Sequence, residues 1–183
     1  MAIFVPRLTA PSNTDLHWIN TAYGGYNSCI LGSPSYGYGS VLSDCTGWAW
    51  GRFLEANGLT TCNLSINQAS IWYLNTADGY SRGSTPKLGA VICWDEINNG
   101  SGHVAFVEEI YYDNNNNVDH ITVSESVYNG VAFRLQTLYP SNNYHLYTDM
   151  TFQGFIYSPT NFDPDINFDT LICLLKKKRR YYT

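Results

Sequence analysis

The fold is decided by residues 43–58, which read SDCTGWAWGRFLEANG. Asp44 is a good helix N-cap, Asn57-Gly58 is a good C-cap, and apolar side chains recur between them at helical spacing, which predicts a helix with Cys45 in its first turn. The unpaired N–H groups and positive dipole end of a helix stabilise a thiolate and can hold an oxyanion, whereas the like charge of Asp44 disfavours the thiolate. Since most free cysteines are small buried side chains, the helix alone leaves both interpretations open.

A candidate partner for Cys45 comes from two strand patterns. Residues 88–94 and 102–108 are rich in β-branched and aromatic side chains and are bounded by Gly, Pro or Asn, which predicts neighbouring strands. His103 then opens the second strand, after a glycine that lets another segment or a substrate approach closely. This position favours a histidine that faces a helix end packed on the sheet, although a lone histidine is more often structural.

A third polar group lies in residues 121–126, which read ITVSES and form another strand pattern. Adjacent antiparallel strands would bring Glu125 within range of His103, where a carboxylate fixes the imidazole tautomer and stabilises imidazolium. A nucleophile, a base and an orienting group therefore follow one another along the chain.

Taken together, these segments resemble the CHAP domain, the cysteine/histidine-dependent amidohydrolase/peptidase family of the papain-like and NlpC/P60 superfamily. They are similar, more narrowly, to the CHAP domains of bacteriophage endolysins and tail-associated peptidoglycan hydrolases. The resemblance spans about residues 17–158 and is carried by DCTGWAWGRF at 44–53, TPKLGAVICW at 85–94, GHVAFVE at 102–108, TVSES at 122–126 and FQGFIY at 152–157. The set is specific, whereas any single member is not.

The resemblance implies that Cys45 is the nucleophile, that His103 is the general base and then the acid, and that Glu125 orients the imidazole. It implies an α+β, papain-like fold in which N-terminal helices pack on an antiparallel sheet of about five to six strands. Bacterial peptidoglycan is the expected substrate, and no cofactor or metal is expected. The substrate contacts are expected from Tyr36, Tyr38, Asp44, Trp48 and Asn129, the last as the asparagine nearest to the third segment.

Two function classes remain open. The first is a cysteine hydrolase that acts as an N-acetylmuramoyl-L-alanine amidase or as a peptidoglycan endopeptidase, and the second is a catalytically silent wall-binding or phage tail structural module on the same fold. The intact Cys, His and Glu favour the enzyme. The Asp-Cys-Thr-Gly string also resembles NlpC/P60 peptidases, in which the third group is often histidine, so Glu125 favours CHAP.

Composition limits the partners. The 183 residues, 44% of them apolar, can build one domain with a sizeable core. A net charge of −5 argues against nucleic-acid or anionic-membrane binding, because those partners demand a basic face. A monomer is expected. Aromatic residues make up 15% of the chain and include fifteen tyrosines, which suit grooves that hold sugars and peptides but also serve as core.

The five cysteines, Cys29, Cys45, Cys62, Cys93 and Cys173, show no zinc-binding spacing. Free thiols in a chain made in the cytosol are the economical interpretation, with a pair such as Cys29 and Cys62 left open. The N-terminus, MAIFVPRL, lacks the pattern of a secretory signal. By the family resemblance, synthesis in the cytoplasm of a host bacterium and action at the cell wall are expected.

The remaining segments complete the predicted α+β arrangement. Residues 9–43 are rich in Gly and Tyr and are expected to form an ordered cleft wall. Helical spacing over 63–74 predicts a second helix, with Trp72 in the core. Further strands are predicted over 131–138 and 150–157. His145, in the loop between them, is expected to be exposed and is the second-choice histidine.

The composition changes after residue 158, so we expect a catalytic domain over residues 1–158 and a tail over 159–183. The alternating acids at 163–169 resemble part of a calcium loop, but Phe168 and Leu174 stand where that loop needs Gly and Glu. The apolar and basic run at 171–182 is far shorter than the ~20 apolar residues that span a bilayer. It is expected to be a flexible end.

Overall fold

The computed structural model describes residues 2–12, 15, 17–18, 42–65, 67–98, 100–128 and 130–162. These residues form one helix, α1 (Cys45–Asn57), and a six-stranded antiparallel sheet. Three short 3-10 turns, at Ala69–Ile71, Thr76–Asp78 and Pro140–Asn142, lie between these elements. The predicted α+β class is therefore observed.

Helix α1 begins and ends as its sequence predicts. The carboxylate of Asp44 accepts a 2.9 Å hydrogen bond from the backbone N–H of Gly47, which makes Asp44 the N-cap. Gly58 ends the helix in the left-handed conformation at φ +60°, and its N–H bonds back to the last turn. Cys45 is thus the first helical residue.

The sheet has the spatial order β1-β6-β2-β3-β4-β5. Its strands are β1 (Arg82–Gly83), β2 (Val91–Glu96), β3 (His103–Tyr112), β4 (Val118–Glu125), β5 (Arg134–Leu138) and β6 (Met150–Ile156). β2, β3, β4 and β6 match the strands predicted from the sequence, and β5 is shorter than the predicted 131–138 at its start. His103 opens β3 as predicted.

At its centre the sheet is apolar on both faces, and both faces are covered there. On one face α1 packs through Phe53 and Leu54 against side chains such as Val104 and Phe106 of β3. On the other face Ala105, Val107, Ile121 and Val123 pack beneath the loop that contains Tyr144, and all four are fully buried. Successive side chains of β3 are buried on alternate faces of the sheet, so the strand lies at the centre of the domain and positions His103.

The second helix predicted over 63–74 is wrong. Of the residues described in this segment, only Ala69–Ile71 is helical, as a single 3-10 turn. The N–H of Ser70 donates a 2.8 Å hydrogen bond to the carbonyl oxygen of Ser101, in the loop before β3, so it does not form a helical i→i−4 bond. Trp72 lies in the core as predicted, 1% exposed.

The segment after residue 158 packs on the domain as far as the structure describes it. Phe162 is 7% exposed, pairs with Ala2 in a β-bridge, and meets Phe4 edge to face with ring centroids 5.0 Å apart. The calcium-like segment at 163–169 and the basic run at 171–182 lie outside the described residues.

Candidate active site

The start of α1 fixes the position of Cys45. Asp44 caps the helix, with its carboxylate held by the N–H of Gly47 and the hydroxyl of Thr46. The backbone N–H of Asp44 donates to the hydroxyl of Ser126, just after β4, at 3.0 Å. The peptide before the thiol is therefore held from both sides, and Cys45 itself is 9% exposed and lines a cavity.

His103 is positioned by the glycine before it. Gly102 adopts φ +68°, and a Cβ at this residue would lie 2.6 Å from the backbone of Ser70 and from the carbonyl oxygen of Trp94. Only glycine fits this conformation and this close approach. The loop therefore delivers the chain to β3 with His103 directly opposite Trp94 on β2.

The structure brings Cys45, His103 and Glu125 together in series. Nε2 of His103 is hydrogen-bonded to Oε2 of Glu125, and the side chain of Cys45 also interacts with the imidazole and raises its pKa. Since Nε2 faces the carboxylate, Nδ1 is the nitrogen left for the sulfur. The rings of Trp94 and Tyr147 flank the imidazole with centroids 5.9 and 5.7 Å away, which restricts its rotation.

Burial and charge work against each other at His103, which is 4% exposed. Burial lowers the pKa of His103, but the hydrogen bonds and charges of Cys45 and Glu125 outweigh it and raise the pKa to about 9. For Glu125, burial raises the pKa, but the bonds to His103, Arg134 and Gln136 outweigh burial and lower it. The arrangement thus favours imidazolium next to an ionised carboxylate at neutral pH.

The sequence did not point to the residues that hold the second oxygen of Glu125. Oε1 accepts hydrogen bonds from Nε of Arg134 at 2.6 Å and from Nε2 of Gln136 at 3.0 Å, both on β5. Nη2 of the same Arg134 guanidinium donates a hydrogen bond to the hydroxyl of Tyr147. The register of β5 against β4 places Arg134 directly opposite Glu125. The strand pattern in the sequence does not specify this register, because it depends on the connection between the two strands.

The site borders a cavity of about 620 Å³. Cys45 and His103 line it together with Gln68, Tyr128, Arg134 and Tyr147, among others. Tyr128 is 69% exposed and was not predicted, although an aromatic residue beside the third segment could have signalled it. The cavity is large enough for a peptide segment and places the thiol at its wall.

The predicted substrate contacts divide into three groups. Asp44 lines the cavity, but its carboxylate caps α1. The prediction for Trp48 is wrong: this residue is fully buried, stacks on Trp18 with centroids 4.5 Å apart and donates through Nε1 to the hydroxyl of Ser124. Helical spacing turns Trp48 toward the sheet rather than the cavity. Tyr36, Tyr38 and Asn129 lie outside the described residues.

Other candidate groups lie elsewhere. His145 is exposed, as predicted. Cys45, Cys62 and Cys93 are free thiols, so the structure does not pair Cys62 with Cys29. Within the ranges that the structure describes, no group of three or more His, Cys, Asp or Glu side chains is arranged to hold a metal ion. Among the same residues, no helix is long and apolar enough to span a membrane.

The fold and site define a class: an α+β domain in which a cysteine at a helix start and a histidine at a strand start line one cavity, and the histidine is hydrogen-bonded to a buried glutamate. A comparison of the sequence with known protein families points to the same class of protein. The family model described as "CHAP domain" matches residues 34–127, more than half of the chain, and the chain belongs to the CHAP domain family. No curated protein and no solved structure matches the chain. Family membership implies a cysteine- and histidine-dependent amidohydrolase or peptidase.

Proposed function

We propose that the protein is a peptidoglycan hydrolase that cleaves an amide bond of the bacterial cell wall, as an N-acetylmuramoyl-L-alanine amidase or as a peptidoglycan endopeptidase. One observation carries the proposal: Cys45 and His103 line the same 620 Å³ cavity, the Cys45 side chain raises the pKa of the imidazole, and the imidazole is hydrogen-bonded to the buried Glu125. A buried cysteine with only a packing role has no need of an imidazole that is itself held by a buried carboxylate.

The geometry supports a two-step acyl transfer. With its pKa raised to about 9, His103 is protonated at neutral pH, so the resting site can hold a thiolate and imidazolium pair. The Cys45 sulfur attacks the substrate carbonyl carbon, and the oxygen takes up the negative charge. When the C–N bond breaks, His103 gives its proton to the leaving amine and a thioester remains on Cys45.

Hydrolysis of the thioester completes the cycle. Neutral His103 removes a proton from water, the resulting hydroxide attacks the thioester carbonyl, and the Cys45 thiolate leaves next to imidazolium. The start of α1 places backbone N–H groups and the positive end of the helix dipole beside the sulfur. An oxyanion held by such donors is stabilised by roughly 3–4 kcal/mol for each donor that acts only in the transition state.

We further propose the papain-like fold of the NlpC/P60 superfamily for this domain and a phage lysin role, either at lysis or as a virion-associated enzyme. Synthesis in the host cytoplasm, action at the cell wall as a monomer, and division into a catalytic domain over residues 1–158 with a tail over 159–183 belong to the same proposal. The family match and the packing of α1 on β3 support the fold.

Digestion of purified cell walls tests the proposed function. Wild-type protein should release fragments whose masses identify the cleaved amide, and Cys45→Ala should release none while its melting temperature stays within a few degrees of wild type. Cys62→Ala is the matched control, because Cys62 has the same 9% exposure as Cys45 but lies away from the cavity lining. If no fragments appear from walls of diverse bacteria, the domain is a silent wall-binding or tail structural module.

A further inference from the structure

Arg134 extends the series of interacting side chains beyond Cys45, His103 and Glu125. It stands on β5 directly opposite Glu125 on β4, and its Nε donates to Oε1 of Glu125 at 2.6 Å. The side chain of Arg134 is one-third exposed and lines the cavity, whereas that of Glu125 is fully buried. The guanidinium is therefore the solvent-side end of a chain of charges that runs inward.

The two oxygens of Glu125 have separate partners. Oε2 faces His103, and Oε1 faces Arg134 and Gln136. A carboxylate held on one side only could turn its oxygens away from the imidazole or take up a proton. The first change would break the hydrogen bond to His103, and the second would remove the anion that stabilises imidazolium. The bonds to Oε1 prevent the turn, and the charge of Arg134 opposes the proton.

Arg134 also completes a charge balance. In the reactive form the series holds a Cys45 thiolate, a His103 imidazolium and a Glu125 carboxylate, which together carry one net negative charge. Adding the Arg134 guanidinium makes the buried group neutral, with charges that alternate along the series. Because an unbalanced charge is costly away from water, the guanidinium favours the form in which both the thiolate and the carboxylate are ionised.

Tyr147 holds the guanidinium in place. Its hydroxyl accepts a hydrogen bond from Nη2 of Arg134, and the guanidinium carbon lies 5.7 Å from the centre of the Tyr147 ring. The same ring meets the His103 imidazole edge to face. Tyr147 therefore contacts both His103 and Arg134, the two side chains that Glu125 bridges. Among the residues that the structure describes, the charged or titratable groups around Glu125 are His103, Arg134 and Tyr147, with Cys45 beyond His103.

We propose that Arg134 is a positioning residue that keeps Glu125 ionised and turned toward His103, so that the cysteine and histidine pair stays reactive in mildly acidic solution. The inference rests on the proposed function for its catalytic meaning. The effect on the thiol itself does not need a wall substrate, so it can be measured separately.

The test measures the rate of iodoacetamide labelling at Cys45 against pH, with the labelled peptide identified by mass spectrometry. In Arg134→Gln, Glu125 should take up a proton at higher pH, and the acid side of the labelling profile should move upward by about one pH unit. Labelling at pH 5.5 should then fall about tenfold relative to wild type, and at pH 8 less than about twofold. A residue with only a structural role would lower labelling equally at all pH values.

Three further variants test whether the shift in the labelling profile comes from the charge of Arg134 acting on Glu125. Gln136→Met removes a neutral donor from the same oxygen and should move the profile less than Arg134→Gln does. Arg134→Lys keeps the charge and should restore most of the wild-type profile, and it also covers the case in which Arg134→Gln fails to fold. In a Glu125→Gln background, adding Arg134→Gln should move the profile no further, because the titrating carboxylate is gone.

The outcomes separate the two proposals. An Arg134→Gln profile that overlays wild type, or one that moves equally in the Glu125→Gln background, would overturn the positioning role. If the predicted shift is found but wild-type protein digests no cell wall, the positioning role stands and the proposed function fails.

Discussion

The backbone N–H of Asp44 donates a 3.0 Å hydrogen bond to the hydroxyl of Ser126, 82 residues further along the chain. This bond joins the start of α1, which carries the nucleophile, to the end of β4, which carries Glu125. The Ser126 hydroxyl in turn donates to the carbonyl oxygen of Val131. The distance between the first and third members of the site is therefore fixed by a direct contact as well as by His103.

Replacing Ser126 with alanine should lower wall hydrolysis more than it lowers stability. The loss of the two partly buried hydrogen bonds of the Ser126 hydroxyl costs about 2 kcal/mol of unfolding free energy. It also frees the peptide before Cys45, and small misplacements of a nucleophile cost large factors in rate. Denaturant unfolding and wall digestion measure the two effects.

Ser65→Ala is the matched control for Ser126. The Ser65 hydroxyl also accepts a backbone N–H, that of Asn67 at 3.2 Å, and Ser65 is 4% exposed. With one such bond to lose instead of two, Ser65→Ala should lose about half as much stability and keep its activity. Equal loss of activity in both variants would show that the Asp44 and Ser126 contact has no special role in the site.

Gly102→Ala should disable the site by displacing His103. The new Cβ would meet the backbone of Ser70 and the carbonyl oxygen of Trp94 at 2.6 Å, and φ is +68°, so both strain and overlap oppose it. We expect a loss of about 2 kcal/mol or more in unfolding free energy and hydrolysis near background, measured by urea unfolding and wall digestion.

Gly79→Ala is the control that separates backbone strain at positive φ from steric overlap of the new Cβ. Gly79 has a similar φ of +78°, but a Cβ there would meet nothing within 4 Å. This variant should lose about 1 kcal/mol from the backbone conformation alone and keep its activity. If Gly102→Ala behaves like Gly79→Ala, the close approach before His103 does not position the imidazole.

The pH dependence of stability should report the His103 partners. Because contact with Cys45 and Glu125 raises the pKa of His103 in the folded protein from 6.5 to about 9, protonated His103 stabilises the fold. This contribution is fully present below pH 6.5 and is lost as the pH rises through about 9. Wild-type unfolding free energy should therefore fall between these values, as measured by urea unfolding at a series of pH values.

In His103→Gln this fall should be reduced, since glutamine does not titrate but can still donate to Glu125. The exposed His145, changed to glutamine, should leave the wild-type curve unchanged. Parallel curves for wild type and His103→Gln would mean that His103 gains no net stabilisation from its partners when it is protonated.

Local signals in the sequence were sufficient for the parts of the fold that short-range chemistry determines. Asp44 and Gly58 cap α1 as their residue types require, and β-branched runs form the strands. Because β3 and β4 are consecutive and antiparallel, the sequence also brought His103 and Glu125 into the same neighbourhood. The predicted family is confirmed by the match over residues 34–127.

The features that could not be predicted from the sequence depend on contacts between segments that are distant along the chain. The helix predicted over 63–74 does not form, and Ser70 is instead hydrogen-bonded to Ser101. No pattern within residues 63–74 indicates this long-range contact. The buried side chain of Trp48 faces Ser124, although its place beside the nucleophile resembled that of a groove residue. Arg134 reaches Glu125 only because β5 pairs with β4 in one register, and a shift of one residue would turn it to the other face.

The central claim, that His103 activates Cys45, is tested most directly by the pH dependence of Cys45 alkylation in wild type and in His103→Ala. A thiolate held by imidazolium should label rapidly below pH 7 in wild type. Without the imidazole, rapid labelling should require a pH nearer ~8.5, where an ordinary free cysteine ionises. Alkylation profiles that overlay in the two proteins would contradict the account, even though the fold would stand.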